Sequence, residues 1–104
     1  MIHVAPLLLD DCTFIQIEVQ LPKTNLLMIQ CEQGYVMCGA LDIRLLREQL
    51  ASRNIVAARA TGVRTLDELL NGQVESCTQA AEALGITAGM PVREALLRMY
   101  KAAL

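Results

Sequence analysis

Residues 37–42, Met37-Cys38-Gly39-Ala40-Leu41-Asp42, decide the fold, because here an apolar strand pattern runs directly into the start of a helix. A second junction of the same design follows at Arg59-Ala60-Thr61-Gly62-Val63-Arg64-Thr65. A short helical pattern separates the two strands, which predicts parallel neighbours whose carboxyl ends meet at one edge of the sheet. We therefore expect Cys38, Asp42, Arg64 and Thr65 to lie near one another at that edge.

The residues before the first junction alternate between apolar and polar. Ile15, Ile17, Val19 and Leu21 fall on one face of residues 12–21, which predicts a half-exposed strand. Residues 2–9 and 25–32 are expected to form strands on either side of it, with turns at residues 10–11 and 22–24. A tight turn at Gln33-Gly34 would then lead into a strand at residues 35–41 that is covered on both faces.

Helical spacing begins after Asp42, the expected N-cap of a helix to about residue 52 with Ile43, Leu46 and Leu50 on its buried side. Residues 55–60 are expected to form a strand parallel to the previous one. A capping box at Thr65-Leu66-Asp67-Glu68 predicts a short helix to residues 71–72. Further helices are expected at residues 75–84, with Cys77 buried, and after Pro91.

The predicted fold class is α+β. An N-terminal antiparallel β meander continues into one parallel βαβ step, and helices pack on one face of a mixed sheet. At 104 residues the chain is expected to be a single domain, 1–104, in which residues 1–41 are β-rich and residues 42–104 are helix-rich with one further strand. The hydrophobic content of 54% exceeds what one small core needs. This surplus indicates a subunit interface.

Charge and apolar runs exclude several classes of partner. The formal net charge is −2 and no basic block is present, which disfavours nucleic-acid binding. The first residues carry no basic leader, and the apolar runs are too short for a membrane span, so we expect a cytoplasmic protein without a membrane partner. Arg44, Arg47 and Arg53 are expected on a solvated helix face.

The cysteines carry no metal or redox motif. Cys12, Cys31, Cys38 and Cys77 lack Cys-x-x-Cys spacing, and the only histidine is His3. We therefore expect free thiols, no metal site and no cofactor. If the Gln33-Gly34 turn pairs Cys31 with Val36, then Cys31 and Cys38 are diagonal neighbours about 7 Å or more apart, beyond disulfide reach.

Cys38 is the candidate catalytic residue, because a helix start close behind it in sequence could lower the pKa of its thiol. A cysteine enzyme also needs a base within hydrogen-bond distance, and the only histidine lies in the first strand. The alternative, which we favour, is a small buried thiol that packs beneath the helix.

An anion could bind at the second junction. Gly62 permits a tight backbone, Thr65 caps a helix, and Arg64 adds a fork of donors beside Thr61. Asp42 and Lys23 complete the candidate ligand-binding set, in which Lys23 could reach an anion from the same or a neighbouring subunit. The alternative for Lys23, which we favour, is a plain turn at residues 22–24. The alternative is a plain capped turn in which Arg64 pairs with Asp42 or Asp67.

Four blocks of the chain carry a resemblance to a known family. They are Leu21-Pro22-Lys23-Thr24-Asn25-Leu26-Leu27, Gly34-Tyr35-Val36-Met37-Cys38-Gly39-Ala40-Leu41-Asp42, Arg59-Ala60-Thr61-Gly62-Val63-Arg64-Thr65 and Arg93-Glu94-Ala95-Leu96-Leu97. In these blocks the chain resembles the YunC-like family of bacteria and archaea, a domain of unknown function. The resemblance implies assembly through the β-rich region, as a homotetramer built on residues 1–32. It supplies no catalytic residues.

Three functions are therefore open. The first is a homo-oligomer that binds a small anionic ligand at the strand-to-helix junctions, in a pocket expected to include Arg64, Thr61 and Cys38. The second is a small-molecule enzyme that depends on Cys38. The third is a purely structural interaction subunit, for which the junctions would be filled.

Overall fold

The structure, a computed structural model, describes residues 1–40, 42–48 and 51–102. Within these ranges six strands form one mixed sheet whose spatial order is their order along the chain. The strands are β1 (Ile2–Leu9), β2 (Cys12–Leu21), β3 (Thr24–Gln30), β4 (Gly34–Met37), β5 (Val56–Arg59) and β6 (Ser76–Cys77). The helices are α1 (Ile43–Glu48), α2 (Leu66–Leu70), α3 (Gln79–Glu82) and α4 (Val92–Lys101), with a 3-10 turn at Ala51–Arg53. Strands β4 and β5 are parallel and all other neighbours antiparallel, which confirms the predicted α+β fold.

The first two turns of the meander contain two residues each, as the polar dipeptides predict. Leu9 pairs with Cys12 across the turn Asp10-Asp11, where both aspartates have positive φ, 47° and 65°. Leu21 pairs with Thr24 across Pro22-Lys23, with φ of +66° at Lys23. Proline followed by a left-handed residue is the arrangement of a type II turn.

The third turn differs from the prediction. Gln30 pairs with Tyr35, and the Cys31 amide donates to the Gly34 carbonyl at 2.9 Å, so the turn consists of residues 32–33. The expected pairing of Cys31 with Val36 is therefore wrong. Gly34 is the first residue of β4, and a Cβ there would collide with the Val56 carbonyl oxygen of the adjoining β5. A glycine that looks like a turn signal is needed for close backbone approach.

The main core lies between one face of the sheet and the helices α2 and α4. Its largest fully buried side chains include Phe14, Ile29, Leu69, Leu96 and Met99. The ring of Phe14 lies 5.5 Å from that of Tyr100 on α4, at an interplanar angle of 54°. Because Val92, Ala95, Leu96 and Met99 repeat at helical spacing, one stripe of α4 is buried along its length.

Helix α1 lies on the opposite face of the sheet. Its buried Ile43 and Leu46 pack against Ala57, whereas the next strand residue, Ala58, belongs to the main core. Successive strand residues point to opposite faces, so the prediction that all helices share one face fails for α1. The reason is that β4 and β5 carry apolar side chains on both faces. The predicted contributions of Leu41 and Leu50 lie outside the described residues.

The expected helix at residues 75–84 is wrong in its first part. Ser76 and Cys77 form β6, which pairs antiparallel with β5, so residues 42–104 hold two further strands among the described positions. Helix α3 begins only after Thr78, whose side chain accepts a hydrogen bond from the Ala81 amide. Pairing of Ser76 and Cys77 with the backbone of β5 thus outweighs the helical spacing of the apolar residues in this stretch.

The face of β1 and β2 opposite the core carries apolar side chains that no described helix covers. Ile2 pairs with Val19 and Val4 with Ile17, and Ile2 and Leu8 are 69% and 66% exposed. We call this surface the open β face. It comprises Ile2, Val4, Leu8, Ile15, Ile17 and Val19. Leu21, the last residue of β2, lies next to the β2–β3 turn and is not counted in this surface.

The outer edge of β1 is interrupted by Pro6. The Gln20 amide donates to the Met1 carbonyl at 2.8 Å. Because hydrogen-bonded pairs alternate along an antiparallel ladder, the backbone groups of the odd residues of β1 bond to β2 and those of the even residues point away from the sheet edge. Pro6 is one of the even residues and offers no amide there. A proline at this position hinders addition of another strand.

No helix in the described ranges is long and apolar enough to cross a bilayer.

Candidate functional site

The β2–β3 turn and the carboxyl ends of β4 and β5 lie at the same edge of the sheet. Met28 pairs with Met37, and Met37 pairs with Arg59. Strand β3 therefore begins where β4 and β5 end, which brings Lys23 in the turn toward the loop that follows β5. Sequence reasoning placed the two junctions at one edge, and the register adds this turn to it.

The loop before α2 is held by its own backbone and caps. The Ala60 amide donates to the Met37 carbonyl at 2.9 Å, and Gly62 turns the chain with φ of +75°. The Thr65 hydroxyl accepts from the Glu68 amide at 3.0 Å, as the capping box predicts. The Glu68 carboxylate reaches back to the Arg64 amide at 2.7 Å. The amides of Arg64 and Glu68 are thus bonded within the protein.

A cleft of about 550 Å³ opens between this loop and the β2–β3 turn. Lys23 and Arg64 both line it. The other lining residues are Leu21, Thr24, Asn25 and Val63. We call this the Lys23–Arg64 cleft. Among the described residues, neither cation forms an ion pair with a carboxylate, so the cleft is lined by two cations without an ion-pair partner.

The structure separates the other predicted ligand-binding residues from this cleft. Asp42 caps α1, with its carboxylate accepting from the Leu45 amide at 3.0 Å. It lines a different open cavity, with Arg44 and Glu48. Thr61, Gly62 and Thr65 shape the loop without lining the cleft. The alternative pairing of Arg64 with Asp42 or Asp67 does not occur among the described residues.

Cys38 lies beneath the cleft but does not line it. Its side chain is 5% exposed, and its sulfur accepts from the Leu27 amide at 3.5 Å while the thiol faces the Asn25 carbonyl at 3.9 Å. All of its hydrogen-bond partners in the described ranges are backbone groups. The geometry therefore favours packing and strand termination over a nucleophile with a base.

The remaining thiols are unpaired as well. Cys12 and Cys31 are half-buried and Cys77 is buried. The Cys77 thiol donates to the Ile86 carbonyl at 3.5 Å. Burial, followed by the nearby Glu82 carboxylate, raises the pKa of the Cys77 thiol, which keeps it protonated and unreactive.

A group of ion pairs that the sequence did not reveal joins α1, α3, β5 and β6. Arg47 was expected on a solvated face, yet its guanidinium donates to the Cys77 carbonyl at 2.7 Å and to the Glu82 carboxylate at 2.5 Å. Arg59 of β5 pairs at 2.8 Å with Glu75, the residue just before β6. The hydrogen bond from Arg59 lowers the pKa of the Glu75 carboxyl. These partners are far apart in sequence, so only the fold identifies them.

The fold and the cleft define a class of small α+β protein in which a β meander and one parallel crossover enclose a cationic cleft at the sheet edge. Comparison with known proteins gives the family. Residues 37–99 match the model of a domain of unknown function, DUF1805. The chain is 52% identical over 101 residues to the uncharacterized protein YunC of Bacillus subtilis (strain 168), covering 97% of this chain and 100% of the relative. The chain therefore belongs to the DUF1805 family, the YunC-like proteins.

A solved structure shows the same fold. It is the crystal structure of TA1206, a protein of unknown function from Thermoplasma acidophilum, with a TM-score of 0.85 and 26% sequence identity. The match covers 95% of this chain and 93% of that one. The family matches therefore include a bacterial relative and an archaeal structure, as the resemblance implied.

Proposed function

We propose that the protein is a cytoplasmic homo-oligomer that binds a small anionic ligand in the Lys23–Arg64 cleft. The observation that carries the proposal is the meeting of Lys23 and Arg64 in one cleft without a carboxylate partner among the described residues. An anion in the cleft would be attracted by both cations. Arginine supplies a planar fork and lysine a mobile point charge, and both bind oxyanions.

Titration with inorganic phosphate tests this site. Arg64→Ala should weaken phosphate binding about tenfold or more, because a charge-assisted hydrogen bond is lost. Arg64→Lys should lose most of that affinity too, since lysine cannot form the bidentate contact. The matched control is Arg93→Ala, which removes an exposed cation from α4, outside the cleft. Unchanged phosphate binding in Arg64→Ala would remove Arg64 from the site.

The homo-oligomer is supported by the open β face, an uncharged apolar surface on a small monomer. Pro6 interrupts the outer edge of β1, so a second copy is expected to pack face to face with this sheet and not to extend it. The tetramer that the resemblance implies would use this face. Four free thiols suit the reducing conditions of the cytoplasm.

Light scattering measures the assembly. We expect a mass well above the 11.4 kDa of one chain. Val4→Lys should lower that mass, because it places a charge within the open β face. The control variant, Gln20→Lys, adds the same charge at an exposed position on the other face of β2. A wild-type monomer at micromolar concentration would contradict the assembly.

A further inference from the structure

The lining of the Lys23–Arg64 cleft is divided between charge and hydrocarbon. Its cations are Lys23 and Arg64, while Leu21 and Val63 supply apolar surface. Leu21, the last residue of β2, is 43% exposed. An exposed leucine beside two unpaired cations presents both surfaces to the same ligand.

The charge of the lining favours a dianionic head group. Thr24 and Asn25 contribute neutral side chains able to donate hydrogen bonds, and the lining residues that the structure describes include no carboxylate. The nearby Glu68 carboxylate is bonded to the Arg64 amide. A carboxylate ligand would bring one negative charge, whereas a phosphate monoester brings nearly two and three oxygens that accept hydrogen bonds. The charge of the phosphate monoester matches that of the two cations.

The size of the cleft favours an organic body on that head group. Its volume of about 550 Å³ falls within the usual range of small-molecule sites and is more than a bare phosphate ion fills. Each methylene that leaves water against Leu21 or Val63 should raise affinity between about twofold and fourfold.

We propose that the ligand of this cleft is the phosphate monoester of a small, largely apolar alcohol, with the phosphate at Lys23 and Arg64 and the hydrocarbon against Leu21 and Val63. This inference rests on the proposed anion site. It extends that site from the binding of an ion to the recognition of a class of organic molecule.

Three probes test the proposal by calorimetric titration of the full chain: inorganic phosphate, monobutyl phosphate and butyrate. We expect monobutyl phosphate to bind about tenfold or more tightly than either of the others. Equal affinities for the two phosphates would overturn the apolar part of the proposal while leaving the anion site in place. Tighter binding of butyrate than of monobutyl phosphate would overturn the dianionic head group. If none of the three binds, the proposed function fails as well.

Variants locate the hydrocarbon. Val63→Ala and Leu21→Ala should each reduce the advantage of monobutyl phosphate over inorganic phosphate at least twofold and leave the affinity for inorganic phosphate unchanged. Leu45→Ala is the matched control, because Leu45 is 40% exposed and lines a different cavity. Light scattering of each variant separates loss of ligand binding from a change in assembly. An unchanged advantage in both cleft variants would contradict the assigned pose.

Discussion

The Leu27 amide donates its hydrogen bond to the sulfur of Cys38 at 3.5 Å, while the Cys38 amide donates to the Leu27 carbonyl at 3.0 Å. In a regular antiparallel pair the Leu27 amide would bond to the Cys38 carbonyl. The thiol takes the place of that carbonyl, which frees the chain to leave the sheet after Met37 and turn toward α1. Cys38 is thus a strand terminator.

Replacing Cys38 should destabilise the fold without changing the charge of the Lys23–Arg64 cleft. Cys38→Ala leaves the buried Leu27 amide without a partner and should lower the free energy of unfolding by about 1–3 kcal/mol. Cys38→Ser retains an acceptor and should lower it by less. Urea denaturation measures both variants. Equal losses for alanine and serine would show that the sulfur packs there without accepting a bond of consequence.

Burial also orders the reactivity of the thiols. Cys12 and Cys31 are half-buried, whereas Cys38 and Cys77 are buried, so native labelling by an alkylating reagent should reach Cys12 and Cys31 first. Mass mapping after brief labelling, with urea-unfolded protein as the control, gives the order. Rapid and selective labelling of Cys38 in the native protein would contradict this order and favour the cysteine-dependent enzyme.

Two substitutions at Lys23 should differ in stability but not in their loss of phosphate binding. Its φ of +66° is unfavourable for a residue with a Cβ, so Lys23→Gly should be more stable than Lys23→Ala by about 1 kcal/mol. Both variants should lose affinity for inorganic phosphate, because both lack the ammonium group. Asp11→Gly, at φ of +65° in the first turn, is the control for backbone relief without loss of the cation. Undiminished binding in both Lys23 variants would contradict the site.

The pair of Arg59 and Glu75 should stabilise the fold in a pH-dependent way. The pKa of the folded-state Glu75 carboxyl lies below its ordinary value, so the contribution is present above the ordinary glutamate pKa and is lost as the pH falls through the lowered one. The difference in urea midpoint between wild type and Glu75→Gln should therefore shrink toward acid pH. Glu48→Gln, which removes a more exposed partner of Arg44, should change the midpoint less at every pH.

The Thr78 hydroxyl joins two segments, the stretch at β5 and the start of α3. It donates to the Ile55 carbonyl at 2.6 Å and accepts from the amides of Ala57 and Ala81, at 3.2 Å and 3.3 Å. Thr78→Val should lower the free energy of unfolding by about 1–3 kcal/mol, whereas Thr78→Ser retains the hydroxyl. Thermal unfolding checks this, with Thr65→Val at an exposed cap as the comparison. Wild-type stability in Thr78→Val would show that the two segments hold together without the hydroxyl.

The parts of the fold that could be predicted are those that short sequence patterns determine. Alternation at Ile15, Ile17 and Val19 marks a strand, and Thr65 with Glu68 marks a helix start. The failures have tertiary causes. Gly34 looked like a turn residue because its close approach to Val56 is invisible in the sequence, and Ser76-Cys77 looked helical because the pairing with β5 is not local.

The candidate site was predictable only in part for the same reason. Lys23 and Arg64 were both identified, each from its own turn. Their meeting depends on the register of Met28 with Met37, which no short motif encodes. Asp42 was grouped with Arg64 because both follow parallel strands whose carboxyl ends meet at one edge of the sheet. Helix α1 packs on the face opposite the main core, and Asp42 lines a separate cavity.

The sequential strand order has a consequence for how this chain reaches its native state. Strands β1 to β4 pair only with neighbours in sequence, so their hairpins can close across two-residue turns with little loss of chain entropy. The parallel pairing of β4 with β5 must wait for the intervening crossover, including α1. We expect this step to limit the folding rate, because non-local pairing is the slow part of sheet formation. During synthesis the meander would then assemble before the sheet edge that holds the cleft has formed.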